Sequence, residues 1–183
     1  MSAEEFIEWE RSQLDKHEFH DGAVYAMDGA SPRQNKIAST LNSVFGRILR
    51  GGACDALESN QMVKSRSSYV YPDLSVVCED PEFERSDQGL ILLNPTMIVE
   101  VLSRSTEAYD RGDKFRRYRA LPSLRDYLLV SQREARIEHL QLIEPGWTLV
   151  ADVTQDGSIK LSNGASFAVE EVYEGAWRFP GDD

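Results

Sequence analysis

Apolar residues recur along the chain in three rhythms, and each rhythm predicts its own element. Ile37, Leu41, Val44, Phe45, Ile48 and Leu49 fall three and four apart. The segment that opens at Ser31-Pro32 and stops at Gly51-Gly52 is therefore predicted as an amphipathic helix with one broad apolar stripe. Serine caps its first turn, and proline occupies the first helical position, where an N–H would have no partner. At the N-terminus Ser2 and Glu5 form a capping box, and Phe6, Ile7, Trp9 and Leu14 predict a short helix over about residues 3–14. Short β-rich runs bounded by turn residues make up the second rhythm. They predict strands at 17–20 and 23–27, joined by Asp21-Gly22, at 54–59, 61–64 and, after the Tyr71-Pro72 break, 74–78. Further strands are predicted at 126–130, 135–143 and 147–153, with Pro145-Gly146 and Asp156-Gly157 as turns. The third rhythm is residues 96–102, apolar on both faces apart from Glu100, which reads as a buried central strand. Residues 110–120 are predicted helical and 80–88 a polar surface loop. Helices interleaved with strands imply an α/β domain, a mixed, partly antiparallel sheet flanked by helices, and the 183 residues suit one domain over 1–183.

Composition narrows the class. A 41% hydrophobic content supports a packed core, and no apolar run approaches the roughly 18–20 residues of a membrane helix. The first residues lack the layout of a secretion signal. Cys54 and Cys78 each lie in an apolar stretch, which suits reduced thiols in a cytoplasmic protein. The net charge of −11 argues against sequence-blind coating of nucleic acid but leaves room for a local basic patch.

Glu100 is the residue that demands an explanation. An ionised carboxylate in the middle of Ile98-Val99-Glu100-Val101-Leu102 costs several kcal/mol unless a cation, a metal or a proton accompanies it. Asp73 poses the same question at the mouth of the strand Leu74-Ser75-Val76-Val77. Read singly, Asp73 could be a turn acid and Glu100 the buried partner of an arginine. Read together, two strands each presenting one carboxylate make a pair of oxygen ligands for Mg²⁺. Residues 103–119 follow, with six basic and three acidic side chains, a local +3 that leaves −14 elsewhere. This is where a polyanion would land, with Arg104, Arg111, Arg116 and Arg117 as phosphate clamps. The plainer reading is a solvated helix with internal pairs such as Asp113 and Arg117. His17 and His20 face opposite sides of a strand and do not make a zinc site. The Trp147, Trp177 and tyrosine rings read as core or interface packing rather than base-stacking platforms.

Gly22-Ala-Val-Tyr-Ala-Met-Asp-Gly-Ala-Ser31, Tyr71-Pro-Asp73, Ile98-Val-Glu-Val-Leu-Ser103 and Asp110-Arg-Gly-Asp-Lys-Phe-Arg-Arg-Tyr118, followed by Leu121-Pro-Ser-Leu124, resemble the Uma-two family of restriction-endonuclease-like proteins, within the PD-(D/E)XK nuclease superfamily. The resemblance runs from about Ser2 to Tyr173. It implies a restriction-endonuclease-like fold and a Mg²⁺- or Mn²⁺-dependent DNA endonuclease, with a homodimer as the expected assembly. Asp73 and Glu100 would be its metal-binding acids, Val101 would lend a backbone carbonyl, and Glu18 would be an additional acid. The superfamily pattern wants Lys two residues after the second acid; Leu102 stands there, and the resemblance points to Lys114 as the displaced ammonium. Gln34 stands near the place where many members carry His. A catalytically silent nuclease-fold module, acting in binding or as a dimeric scaffold, is the alternative. A third possibility is a buried ion-pair network without a substrate.

Overall fold

The computed structural model describes residues 1–27, 29–86 and 89–182. Both predicted helix caps form. Ser2 Oγ accepts from the Glu5 N–H at 3.1 Å and Glu5 Oε2 from the Ser2 N–H at 2.6 Å, opening α1 (Ala3–Glu10). Ser31 Oγ accepts from the Gln34 N–H at 3.1 Å at the head of α2 (Pro32–Ile48). Gly51, at φ +77°, follows the end of α2 in backbone that a side chain resists. Helix α1 stops before Leu14, because Ser12 and Gln13 turn back onto the carbonyls of Trp9 and Glu10 and leave Leu14 fully exposed.

The strands, in chain order, are β1 (His17–His20), β2 (Ala23–Ala26), β3 (Asp55–Glu58), β4 (Val63–Ser65), β5 (Ser68–Val70), β6 (Leu74–Val77), β7 (Phe83–Ser86), β8 (Gly89–Leu92) and β9 (Met97–Leu102). They continue with β10 (Asp126–Ser131), β11 (Arg136–Ile143), β12 (Gly146–Thr154), β13 (Ser158–Lys160) and β14 (Ser166–Ala168). The expected single mixed sheet is in fact two, ordered β2-β1-β5-β4-β8-β7 and β12-β11-β10-β9-β6-β3, with β13 and β14 as a separate hairpin. The chain leaves the first sheet after β5 and enters the second at β6, and Pro72, which has no N–H for either ladder, sits between them. Part of the segment expected to be a loop, 80–88, is strand β7, paired antiparallel with β8. Asp87 and Gln88 of that segment, and Asp28 of the 22–31 motif, lie outside the described residues.

Alternation along β9 builds two cores at once. Met97, Val99 and Val101 join Ile37, Leu41 and Phe45 of α2, whereas Ile98 and Leu102 face Val63, Val70 and Leu92 of the first sheet. Phe6 of α1 packs with Phe19, Tyr69 and Ile91 on the far side of that sheet. The layers are therefore helix, sheet, sheet, helix. Strand β9 is central, parallel to β10 and antiparallel to β6, and buried at all six positions, as its composition predicts. Among the described residues no helix is long and apolar enough to cross a membrane.

The cysteines differ from expectation. Asp55 pairs with Val77 across β3 and β6, which brings Cys54 opposite Cys78, and the two form a disulfide rather than separate thiols. Neither residue's local context reveals a partner that strand register alone supplies.

Candidate active site

The layer between the two sheets holds the polar cluster. On β1, Phe19 faces α1, so Glu18 and His20 face the second sheet. On β9, Glu100 shares the inward face of Ile98 and Leu102. Leu74 pairs with Val99, and the next step of that antiparallel ladder brings Asp73 beside Glu100. The third wall is helical. Residues 107–118 run as α3 (Glu107–Tyr109), a π-helical stretch Asp110–Lys114 and α4 (Phe115–Tyr118), ending two residues short of the predicted helix. Asp110, Lys114 and Tyr118 stand four apart and all turn inward.

Lys114 is the hub. Its Nζ lies 3.0 Å from Glu100 Oε1, 3.1 Å from Glu18 Oε1 and 3.7 Å from Asp110 Oδ1, and it reaches the Tyr71 carbonyl at 3.5 Å. Tyr118 donates its hydroxyl to Glu100 Oε1 at 3.0 Å. Leu102, where the superfamily pattern places lysine, packs into the apolar core with Tyr118 and Tyr127. The Tyr109 hydroxyl donates to Glu18 Oε2 at 3.1 Å and is hydrogen-bonded with His20 Nε2. Asp73 Oδ2 accepts from the Val101 N–H at 2.7 Å, and the Val101 carbonyl accepts from Gln34 Nε2 at 3.1 Å. Glu18, His20, Asp73, Glu100, Tyr109, Asp110 and Lys114 border a cavity of about 440 Å³, which Tyr25, Gln34 and Arg117 also line.

Burial and charge set the protonation states. Glu100 is pushed well above the ordinary carboxylate range by burial, against the pull of Lys114. Asp73 rises to about 6, again through burial, although the Val101 N–H and Lys114 favour its anion. It keeps a strip of surface toward the cavity while lying deep among protein atoms. Glu18 moves the other way: burial would raise it, but Lys114, His20 and the Tyr71 N–H outweigh burial and take it down to about 2. Burial also opposes the charge on Lys114, yet Glu100, Glu18, Tyr118 and Asp110 hold that ammonium well above its usual value. Four carboxyl groups thus share one ammonium, and Asp73 and Glu100 are the two that burial leaves most in want of positive charge. Hard oxygen donors short of positive charge fit a divalent cation. The Val101 N–H and the Tyr118 hydroxyl fall on Asp73 Oδ2 and Glu100 Oε1, and among the described residues no cluster of three or more His, Cys, Asp or Glu side chains makes a cation cage by itself. The two acids and the Val101 carbonyl would share any such ion with water or substrate.

The arginines divide. Arg117 lines the cavity and lies 3.9 Å from the exposed Asp21. Arg111 lies outside it and forks onto Glu138 at 2.6 and 2.8 Å, with Glu107 at 2.9 Å. Arg116 is held by Asp113 at 2.8 Å, the partner expected for Arg117. Arg104 is not among the residues lining the cavity. Asp110, Tyr118, Tyr109 and His20 join the site although the sequence did not single them out for it. Two signals could have found them: the i, i+4 series Asp110-Lys114-Tyr118, and the alternation that puts His20 on the face of Glu18. His17, by contrast, bonds Glu10 of α1 at 2.9 Å, away from the cavity.

Comparison with known proteins agrees with this architecture. A crystal structure from Anabaena variabilis, described as that of a putative nuclease, superposes with a TM-score of 0.78 at 14% identity, covering 96% of this chain and 99% of that one. "Uncharacterized protein slr1290" of Synechocystis sp. is 40% identical over 178 residues, 96% of this chain and 92% of its own length. "Uncharacterized protein sll1609" of the same organism is 30% identical over 165 residues, 88% and 93% of the two chains. The model of the Uma2 family, described as "Putative restriction endonuclease", matches residues 3–172. With nearly its whole length matched, this chain belongs to the Uma2 family.

Proposed function

We propose that the chain is a divalent-cation-dependent DNA endonuclease that hydrolyses phosphodiester bonds at the floor of this cavity. The observation that carries the reading is the meeting of Asp73 and Glu100 on adjacent antiparallel strands, with Lys114 Nζ 3.0 Å from Glu100. The family description and the nuclease-like fold support it. Asp73, Glu100 and the Val101 carbonyl would hold Mg²⁺ or Mn²⁺, which when bound supplies Lewis-acid polarisation and a more acidic water. Lys114 keeps its proton, so its part is that of a fixed cation facing the charge that develops on the phosphoryl group, not that of a base. Glu18 and Asp110 fix the ammonium from behind, and Tyr118 occupies Glu100 Oε1 and so leaves Oε2 to the cavity. Arg117 at the rim positions a neighbouring phosphate.

A catalytically silent module on the same fold is the second reading, favoured by Gln34, whose amide already engages the Val101 carbonyl. Incubating the protein with Mg²⁺ or Mn²⁺ and circular DNA, both supercoiled duplex and single-stranded, separates the two. We expect endonucleolytic cleavage that falls at least about 10³-fold in Glu100→Gln, while its circular dichroism spectrum and melting stay those of a folded protein. Equal cleavage by wild type and Glu100→Gln rejects the assignment of Glu100, and no cleavage of either circle by wild type favours the silent module.

A further inference from the structure

Resting on the nuclease reading above, we infer that the substrate enters as single-stranded DNA, with one base stacked on Tyr25 at the cavity mouth and its phosphate turned toward the acids on the floor. Three independent observations carry this.

The first is depth. Glu100 is only 3% exposed, at the bottom of a recess of about 440 Å³, a volume in the range of small-molecule pockets. The phosphates of a duplex lie on the outside of a stiff cylinder and cannot descend into such a recess while the strands stay paired. A single strand has no such constraint.

The second is the wall. Tyr25, on the outer strand β2 of the first sheet, is 53% exposed, yet its ring borders the cavity. It is backed by His20 at 5.3 Å between ring centroids, and His20 is backed in turn by Tyr109 at 5.5 Å. The large buried aromatic side chains of the chain are spent on packing, whereas this ring is held from behind and open in front. An unpaired base offers the matching flat face.

The third is charge. Gripping a duplex takes many phosphate contacts at once. Arg111 and Arg116 are engaged by protein carboxylates, Arg117 and Lys114 are the cations lining the cavity among the described residues, and the whole chain carries −11. That inventory suits one or two phosphates, not a double-helical track.

The test uses the full chain as Glu100→Gln, so that bound DNA is not consumed, in Mg²⁺. Fluorescence anisotropy is read with a labelled 12-nucleotide strand, the same strand paired with its complement, and a 12-unit abasic strand. We expect the single strand to bind at least tenfold tighter than the duplex. Adding Tyr25→Ala should weaken single-strand binding by roughly 5- to 100-fold, Tyr25→Phe should restore it, and the abasic strand should be indifferent to both changes. A merely structural tyrosine would lower all three affinities together, and that result overturns the inference. Duplex bound as tightly as single strand, or Tyr25→Ala without effect on the single strand, overturns it too. If wild-type enzyme then cuts duplex circles in a Glu100-dependent way, the endonuclease reading survives that loss. Binding to none of the three probes sinks both.

Discussion

At the scale of the residue, the site is a problem of too many carboxylates for one ammonium. Glu18 and Asp73 resolve it in opposite directions, and the pH dependence of stability should show both. Glu18 titrates near 2 in the folded chain against 4.5 unfolded, so its contribution is present above about 4.5 and is lost as the pH falls toward 2. Asp73 titrates near 6 against 3.8, so the folded state holds a proton that the unfolded state has released, and stability declines as the pH rises from about 4 to 6. Melting temperature against pH should therefore lose its acid limb in Glu18→Gln and its decline between pH 4 and 6 in Asp73→Asn. Unchanged profiles in both variants would contradict the electrostatic account. That Glu100 would be buried and need a partner was legible from its apolar neighbours. Which companion it would take stayed open: the family resemblance offered Lys114 as the displaced ammonium, and only the fold brings its Nζ to 3.0 Å from Glu100 Oε1, since a helix one turn longer or shorter would carry it elsewhere.

At the scale of the element, strand alternation and helix spacing decide which side chains meet, and they also pin the C-terminal hairpin. Asp126, at the start of β10, is fully buried and takes His139 Nε2 at 2.7 Å and Gln141 Nε2 at 3.0 Å from β11. The Ser162 hydroxyl and N–H close the same carboxylate from the loop between β13 and β14. Asp126→Ala would leave His139 buried without its partner and free the loop. It should cost about 3 kcal/mol in urea unfolding and, because Asp126 does not line the cavity, leave any Mg²⁺-induced rise in melting temperature unchanged. A loss below about 0.5 kcal/mol would show that the loop is held by its apolar contacts alone. The sequence pattern showed β9, β10, β11 and β12 almost to the residue, because long runs of consistent periodicity outvote local noise. It missed β5, β7, β8, β13 and β14, three or four residues each, whose existence depends on a neighbouring strand rather than on their own composition.

At the scale of the whole molecule, the two sheets and the helical wall at residues 107–118 exist as a site only when folded together, so a cation bound there should report on the global fold. Mg²⁺ or Mn²⁺ should raise the melting temperature of wild type and not of Asp73→Ala. The shift should grow as the pH passes upward through about 6, since ligation requires the Asp73 proton to leave. A shift of equal size in Asp73→Ala would place the cation elsewhere.

Local pattern was enough to specify the strongly periodic elements, the caps that start α1 and α2, and the acids that could not be buried unaccompanied. Those features are local: a capping oxygen, a 3.6-residue stripe or a charged residue in an apolar run carries its consequence wherever the chain is placed. Long-range packing was needed to establish that the strands form two sheets, that Cys54 faces Cys78, that Arg111 serves Glu138 while Arg117 lines the cavity, and that Tyr25 stands open at its mouth. Each of these depends on register and distance between segments remote in the chain, which no spacing within a single segment encodes.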